Sequence, residues 1–326
     1  SWRVLLEDFE RAWNAEARLP SPAVPFSRWA ERLAALAGSP ETARELHFWR
    51  ARSDAAAGGR RLPLDLEGGE DTEATTGLVT VSLDPEATRA FLKDAHRAYQ
   101  TRPDELLLAA LGEAVAGWTG ERTLWVDLEG HGREPALAGL EGLDLSRTVG
   151  WFTSLHPLWI DLRAAHAPGE VVKTVKEELR RVPSRGLGYG VLRWLAGEPL
   201  GSSGPEIAFN YLGQLDLMLA TSALFAVDPD PPGRPRSVRA DRMYRLEVNA
   251  WVRDGRLNTS FAYGGRRHRR ETIERLAESF LASLRRLIDH CLAPEAGGFT
   301  PSDFPASDLD QKALDRLLAK VGGKGR

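Results

Sequence analysis

The chain has 326 residues, of which 42% are hydrophobic and 27% are charged. This composition is typical of a soluble globular protein and argues against a disordered, fibrous or membrane-embedded chain. The net charge of −3 provides no general attraction to nucleic acid, because such binding depends on a basic surface. No apolar run approaches the roughly 18 residues of a membrane-spanning helix. We therefore expect a cytoplasmic protein that binds neither nucleic acid nor a membrane.

Three helices are predicted near the start of the chain. Apolar residues recur at intervals of three and four within 2–13 and within 26–36, which predicts two amphipathic helices. A third is predicted to begin at Ser39 and Pro40, because serine is a good N-cap and proline suits the first helical turn. The stretch 53–76 is rich in Ala, Gly and acidic residues and shows little periodicity. It is interpreted as a linker between two lobes.

The middle of the chain alternates predicted strands with predicted helices. A strand over 78–83 is followed by helices that begin near Asp84 and Pro103, and Gly120 closes the second helix. Residues 123–129 then alternate between apolar and polar side chains, which predicts a half-buried strand that ends at Glu129. The next predicted elements are a strand around 149–162, a helix at 169–181 and a strand around 206–212. Strands mixed with helices indicate an α/β fold.

The C-terminal third begins with the clearest turn in the sequence. Asp254 and Gly255 separate two alternating segments and predict a two-residue β-hairpin, because Gly tolerates the positive φ that this turn requires. Residues 271–292 predict a long core-facing helix, with a shorter helix over 308–321. Cys291, the only cysteine, lies on the apolar stripe of the long helix and is predicted to be a buried core thiol.

The segment EGHGRE (129–134) follows directly on the predicted strand. A turn with so little side-chain bulk lets a substrate approach the backbone and directs Glu129 beyond the sheet edge. A carboxylate whose pKa is raised by desolvation can act there as a general base, with Arg133 opposing that rise or holding Glu129 in position. From the local pattern alone, a solvated and charged surface turn is the stronger interpretation.

Three other segments leave alternatives open or carry no chemistry. Asn210, in the segment FNYLGQLD, either ties down a neighbouring loop or faces a polar cavity, since a buried amide needs partners. The run GLGYG (186–190) lacks the full GxGxxG spacing and is interpreted as a tight crossover covered by Tyr189. The basic run 265–270 is interpreted as a solvated loop. No zinc-like Cys and His spacing, HExxH or GxSxG occurs, so neither a metal site nor a serine hydrolase is predicted.

Five segments, taken in order, resemble the motif series of the epimerisation domains of nonribosomal peptide synthetases. They are DELLLAALG (104–112), LEGHGRE (128–134), RTVGWFTSLHPL (147–158), PSRGLGYG (183–190) and FNYLGQ (209–214). The start SWRVLLEDF and the segment GGFTPSDFP (297–305) also look like sequence of this family. The resemblance thus covers most of the chain and makes the catalytic interpretation of EGHGRE the stronger one.

This resemblance implies an α/β fold similar to that of chloramphenicol acetyltransferase, in which two lobes flank a cleft. Residues 1–62 are then a helical remnant of the N-terminal lobe, and residues 63–326 form the C-terminal lobe. The implied reaction is L to D inversion at the α-carbon of an aminoacyl or peptidyl thioester. The implied partners are a peptidyl carrier protein, which holds the substrate on 4′-phosphopantetheine, and other synthetase modules. The chain is expected to need no cofactor of its own.

The resemblance also implies roles for individual residues. Glu129 is one of two proton-transfer groups, while Asn210 and Tyr211 line the same site, where they steady the enolate or orient the thioester. The remaining residues are expected to shape the site rather than transfer protons. Gly130, His131, Gly132 and Arg133 form the turn, and Trp151 walls the tunnel that the family fold has at the junction of its two lobes.

One part of the family pattern is absent from the sequence. In this family the second proton-transfer group is a histidine of an HHxxxDG motif, which ends just before the SW at which this chain begins. None of the seven histidines lies in such a motif. We therefore expect the chain to require a missing segment of the N-terminal lobe as a partner and to be inactive alone. Inversion or deuterium wash-in by the purified chain would refute this expectation.

Two other functions remain open. A condensation domain has the same fold and histidine motif but forms an amide bond between two carrier-bound substrates; the EGHGRE and FNYLGQ segments argue against it. Outside the enzymes, the chain could be a non-catalytic lobe that docks carrier protein. Replacing Glu129 by Gln separates an enzyme from a docking lobe, because a docking lobe would keep its function.

Overall fold

A computed structural model describes residues 1–15, 18–21, 24–57, 61–133, 140, 142–200, 204–216, 222, 224–226, 228, 233, 236–304 and 310–322. Three helices open the chain: α1 (Trp2–Trp13), α2 (Phe26–Leu36) and α3 (Pro40–Ala57). All three were predicted, and the backbone N–H of Thr42 donates to Ser39 Oγ at 3.2 Å at the start of α3. Helix α3 extends further than expected, into the predicted linker, because the alanines there favour helix.

A mixed sheet of six strands lies at the centre of the described residues. The strands are β1 (Thr76–Ser82), β2 (Thr123–Gly130), β3 (Ser154–Asp161), β4 (Ile207–Gln214), β5 (Leu246–Arg253) and β6 (Arg256–Gly264). Their order is β1-β6-β5-β4-β2-β3. Strand β4 runs parallel to β2 and β5, and the other neighbours are antiparallel. The predicted hairpin joins β5 to β6, with positive φ at both Asp254 (54°) and Gly255 (67°).

Long helices cover one face of this sheet. They are α4 (Pro85–Lys93), α5 (Pro103–Thr119), α6 (Pro168–Arg180) and α8 (Arg270–Leu292). The two other helices are α7 (Leu187–Gly190), which has four residues, and α9 (Gln311–Gly322) near the end of the chain. Helix α5 packs against α8, α6 and β2. Because α5 is nearly enclosed, Leu106, Leu107 and Leu111 are 0% exposed, and each such leucine stabilises the fold by about 1.5–3 kcal/mol.

The side chains of β2 alternate between the two faces of the sheet. Leu124 and Val126 are fully buried under the helices, so Asp127 and Glu129 project from the opposite face. The strand ends at Gly130, one residue beyond the predicted end. Cys291 is buried in the main core, as predicted.

Two predictions about the course of the chain need correction. The predicted strand 149–162 is a strand only over β3. Residues 149–153 leave the sheet because Gly150 lies against the ring of Phe26 and Phe152 joins a second apolar cluster around Trp29. The basic run 265–270 is not wholly solvated, since His268 is 1% exposed and its ring centre lies 5.5 Å from that of Trp118.

The GLGYG segment forms a helical turn rather than a crossover, which is a third correction. Its glycines do allow the predicted close approach of backbone to another element. Gly186 has φ +83°, and a Cβ there would lie 1.9 Å from His156 Nδ1. A Cβ on Gly188 would lie 1.9 Å from the carboxylate of Glu45. Gly186 therefore requires glycine, because both its φ angle and the buried His156 ring exclude a Cβ. At Gly188 the Glu45 side chain would have to move to make room.

The boundary proposed at residues 62 and 63 stays a prediction. Trp49 of α3 lies on the N-terminal side of that boundary and is 1% exposed. Its ring centre is 5.1 Å from that of Tyr189 and 5.9 Å from that of His156. Helix α3 is therefore part of the same hydrophobic core as the sheet.

Candidate active site

Glu129 lies near the end of β2, between two strands that each place a residue beside it. In the pairing register it stands opposite Leu155 of β3 and Asn210 of β4. Residues paired across a sheet point to the same face. Glu129 and Asn210 therefore share the face that the long helices leave uncovered at this point.

The environment of Glu129 suits a general base. Partial burial raises the pKa of its carboxyl group, and a hydrogen bond from the Asn210 side chain opposes part of that rise. A carboxylate with a raised pKa is a stronger base than a solvated one. The Asn210 amide also fixes the direction of the carboxylate. Asn210 also lines the cavity beside Glu129, which agrees with the second of the two alternatives left open for it.

The turn after Glu129 is held by Arg133 and His131. The backbone N–H of Arg133 donates to His131 Nδ1 at 3.0 Å. The Arg133 guanidinium donates to the carbonyl of Leu145 and to Ser1 Oγ, and it lies 4.0 Å from the ring centre of Phe152. Arg133 is thus fully engaged in positioning the turn. Glu134, the last residue of the segment, lies outside the described residues.

Gly132 permits this turn to close against the chain before β3. It has φ +66°, and a Cβ at this position would lie 1.6 Å from the carbonyl oxygen of Phe152. The Gly132→Ala variant is expected to lower the free energy of unfolding by at least about 2 kcal/mol, because both the φ angle and the space require glycine. Urea denaturation measures this loss.

Gly117 offers a matched control for that substitution. A Cβ there would meet nothing within 4 Å, and the residue lies inside α5, so Gly117→Ala is expected to be neutral or to stabilise by up to about 1 kcal/mol. Equal effects of the two substitutions would contradict the structural role assigned to Gly132.

A cavity of about 1190 Å³ adjoins Glu129. All of the residues predicted for the site line it: Glu129, Gly130, His131, Gly132, Arg133, Trp151, Asn210 and Tyr211. Trp151 is 81% exposed, so it stands at the cavity margin instead of forming a closed wall. Burial, reinforced by the charge of Asp104, raises the pKa of the Tyr211 phenol to about 12. Tyr211 therefore remains a hydrogen-bond donor at neutral pH.

The cavity also contains residues that the sequence did not single out. Arg102 and Asp104, at the start of α5, line it together with Arg180 of α6. His156 of β3 is buried, and its Nδ1 has no hydrogen-bond partner among the described residues. Burial lowers the pKa of His156 to about 4, so its ring is neutral. The only sequence signal for His156 was its place in the RTVGWFTSLHPL segment.

A second cavity of about 570 Å³ lies beside the first. It is lined by Asp127, which precedes Glu129 by two residues on the same sheet face, and by Tyr244, whose hydroxyl donates to Asp127 Oδ2 at 2.8 Å. Burial raises the pKa of Asp127 to about 6, although that hydrogen bond and the charge of Arg193 oppose the rise. The alternation of β2 placed Asp127 on this face, but nothing in the sequence indicated Tyr244 as its partner.

Neither a metal site nor a membrane helix is found in the part of the chain that the structure describes. There, no group of three or more His, Cys, Asp or Glu residues is arranged to hold a metal ion. Likewise, no helix formed by the described residues is long and apolar enough to cross a membrane.

The fold is a mixed sheet with helices on one face, and the site has a carboxylate at the end of an inner strand. Residues 1–309 match the model of the condensation domain family, and the chain belongs to that family. The predicted α/β fold of the chloramphenicol acetyltransferase type is confirmed.

Individual relatives are large peptide synthetases. The chain is 41% identical over 333 residues to one of the linear gramicidin synthase subunits of Brevibacillus parabrevis, a match that covers 98% of this chain and 4% of that protein. It is 41% identical over 338 residues to chondramide synthase cmdD of Chondromyces crocatus, covering 99% of this chain and 8% of the relative. The chain therefore spans a small fraction of the length of these relatives.

Among solved structures, the chain is similar to the epimerization domain from the third module of tyrocidine synthetase B. The two are 34% identical with a TM-score of 0.80, over 90% of this chain and 66% of that domain. The resemblance to nonribosomal peptide synthetase epimerisation domains, within the condensation domain family, is thus confirmed.

Proposed function

We propose that this chain carries the proton-transfer site of an epimerisation domain, which inverts the α-carbon of an aminoacyl or peptidyl thioester. The observation that supports this function most directly is the Glu129 carboxylate, raised in pKa by burial and oriented by Asn210 beside a cavity of about 1190 Å³. The substrate is held on the 4′-phosphopantetheine of a carrier protein. A cavity of this size has room for such a flexible arm and the aminoacyl group at its end.

The reaction requires removal and return of one proton. The Glu129 carboxylate takes the proton from the α-carbon, the C–H electron pair forms a carbon–carbon double bond, and the thioester carbonyl electrons move to oxygen. Asn210 or Tyr211 donates a hydrogen bond to that oxygen and stabilises the enolate. A second acid then gives its proton to the opposite face of the α-carbon, and the carbonyl re-forms. The proton on Glu129 passes through solvent to the conjugate base of the second acid, so that both groups return to their starting states.

The second acid has to come from another part of the protein. By resemblance it is the histidine of an HHxxxDG motif, and none of the seven histidines of this chain lies in one. His156 is a poor substitute, because burial lowers its pKa to about 4 and leaves it without a proton to give at neutral pH. We therefore propose that the complete reaction uses a histidine supplied from outside these residues, together with a carrier protein and the neighbouring synthetase modules.

The family model, named for condensation, supports a second candidate function. Condensation joins an acyl group to an amine, so it needs two loaded carriers, whereas inversion needs only one. The test uses the protein as it is encoded, with any adjoining polypeptide, and one carrier loaded with an L-aminoacyl or L-peptidyl thioester. Deuterium incorporation at the α-carbon and formation of the D-isomer are expected. Amide formation that requires a second loaded carrier would favour condensation. The absence of both reactions would favour a docking lobe.

Asn210 provides a pH-dependent test of the proposed base. Its hydrogen bond favours the ionised form of Glu129, so its removal in Asn210→Ala raises the pKa of that carboxyl further. A base must be ionised to act, and activity therefore falls as pH decreases through the pKa of Glu129. The acidic limb of the kcat/KM profile is expected to move to higher pH in the variant. If the acidic limb stays in place or moves to lower pH in the variant, the ionisation that it reports is not that of Glu129.

A further inference from the structure

Helix α1 begins beside the turn that follows Glu129. The Ser1 hydroxyl accepts a hydrogen bond from the Arg133 guanidinium at 3.0 Å, across 132 positions of the chain. The same hydroxyl donates to the carbonyl oxygen of Gly150 at 2.7 Å and accepts from the Gly150 backbone N–H at 3.0 Å. One side chain therefore joins the start of α1, the turn after Glu129 and the segment that precedes β3.

The Ser1 hydroxyl uses its full hydrogen-bonding capacity in these contacts. A serine hydroxyl has one donor and two acceptor lone pairs, and here it donates one bond and accepts two. Its partners are held in fixed directions, because two of them are backbone groups of Gly150 and the third is a guanidinium that also donates to the Leu145 carbonyl. Removal of the hydroxyl therefore breaks all three contacts at once.

The segment to which Ser1 is bound has little room to move. A Cβ on Gly150 would lie 2.2 Å from the ring of Phe26, so the backbone there is in close contact with α2. Two residues later, the ring of Phe152 packs edge-on against that of Phe26, with ring centres 5.3 Å apart, and the Arg133 guanidinium lies over its face. Ser1 is thus bound to a packed part of the protein.

The start of α1 also lies at the cavity that adjoins Glu129. Ser1 lines this cavity, and of the residues of α1 only Trp2 and Arg3 do so among the part of the chain that the structure describes. The helix therefore starts at the cavity and leads away from it. Polypeptide adjoining Ser1 on its N-terminal side enters the site at this point.

We propose that Ser1 is a positioning residue that aligns the second acid of the reaction with Glu129. Its hydroxyl fixes the adjoining polypeptide against the turn after Glu129, so that the second acid faces the opposite side of the α-carbon. A displacement of about 1 Å can lower the rate of a reaction about 100-fold, and a hydrogen-bonded junction can therefore decide which face receives the proton. The inference rests on the proposed function, which takes the second acid from outside these residues.

Two products of the same reaction distinguish alignment from stability of the fold. The protein as it is encoded is incubated in D2O with a carrier that holds an L-aminoacyl or L-peptidyl thioester, and initial rates are measured. Deuterated L product forms when Glu129 exchanges its proton with solvent and returns a deuteron to the same face, whereas D product requires the second acid. In Ser1→Ala the ratio of D product to deuterated L product is expected to fall about tenfold, while the total rate of α-proton removal stays within about threefold.

Two further variants control this measurement. Ser1→Thr keeps the hydroxyl and is expected to restore the wild-type ratio. Ser279→Ala, at an exposed position within α8, is the matched control and should change neither the ratio nor the rate. A merely structural role of Ser1 would lower α-proton removal and inversion equally, and this result would overturn the inference. An unchanged ratio in Ser1→Ala, or an equally low ratio in Ser1→Thr, would also overturn it.

Failure of the proposed function is recognised in the wild-type protein. If the wild type forms no D product, the proposed function fails, and hydrogen exchange of the Gly150 amide then decides whether Ser1 holds this junction. Exchange that is about fivefold faster in Ser1→Ala, as expected for the loss of one hydrogen bond, and normal in Ser1→Thr supports the positioning role. Equal exchange rates in the wild type and in Ser1→Ala overturn it.

Discussion

Replacing Glu129 by Gln is expected to lower kcat for α-carbon inversion by about 10³-fold, the range in which a positioned general base contributes to catalysis. Glutamine has nearly the same shape and can still pair with the Asn210 amide, so the fold and the binding of the carrier-bound substrate should be retained. The carboxamide cannot accept the α-proton. Timed measurement of deuterium incorporation with saturating loaded carrier gives kcat directly, and KM is expected to change little.

Glu274 provides the control for that substitution. It lies on α8, is 41% exposed and pairs with Arg270 at 2.8 Å, so Glu274→Gln should leave kcat unchanged. If Glu129→Gln retained kcat within about threefold of the wild type, Glu129 would not be the base. EGHGRE would then be a charged surface turn, as the local pattern alone indicates, and another group would have to be the base.

Replacing Asp303 by Asn is expected to lower the free energy of unfolding by about 3–5 kcal/mol, as is typical when one partner of a buried ion pair is removed. The side chains of Lys176 and Asp303 are 0% and 3% exposed and lie 2.7 Å apart. Arg180 also donates to Asp303 at 3.0 Å and to Glu105 at 3.1 Å. The substitution leaves the buried ammonium group of Lys176 facing a neutral amide. Chemical denaturation monitored by tryptophan fluorescence measures the loss.

The pH dependence of stability should change in the same variant. Burial alone would raise the pKa of Asp303, but the hydrogen bonds from Lys176 and from the Thr300 backbone outweigh it and leave the pKa below its ordinary value. A group with a lowered folded-state pKa stabilises the fold above its unfolded pKa, about 3.9 for Asp, and this contribution disappears as pH falls through the folded value. The difference in the free energy of unfolding between the wild type and Asp303→Asn should therefore become smaller as the pH falls into the acid range.

An exposed aspartate provides the comparison for this prediction. Asp94 pairs with Arg97 at 3.4 Å, with side chains 43% and 80% exposed, and Asp94→Asn should change stability by less than about 0.5 kcal/mol. In a double variant, Lys176→Met with Asp303→Asn, the unpaired buried ammonium is absent, so part of the lost stability should return. A single Asp303→Asn variant as stable as Asp94→Asn would show that the ion pair is not buried in solution.

Asp303 of this ion pair belongs to the segment GGFTPSDFP. Its Asp303 connects the chain after α8 to α6, and through Arg180 to Glu105 at the start of α5. Arg180 and Arg102 in turn line the larger cavity. We infer that the segment holds one end of the site in place, although its Asp303 does not line the cavity itself.

The sequence by itself predicted the features that depend on near neighbours along the chain. The helical spacing of apolar residues located α1, α2, α5, α6 and α8, and the Asp254 and Gly255 pair located the β5 to β6 turn, because backbone propensity and periodicity act locally. Alternation alone placed Asp127 and Glu129 on one face of β2. The order of five short motifs indicated the family, and with it eight of the residues that line the larger cavity.

Tertiary structure decided what depends on contacts between distant parts of the chain. Residues 149–153 leave the sheet because Phe26 and Trp29, more than 100 positions earlier, offer them an apolar cluster. His268 is buried within a basic run because Trp118 packs against it. Asp127 pairs with Tyr244 across 117 positions, and no local pattern predicts the second cavity that these two residues line. The sequence therefore determined where Glu129 lies in its strand, whereas its burial and its pKa depend on the two strands, β3 and β4, that flank it.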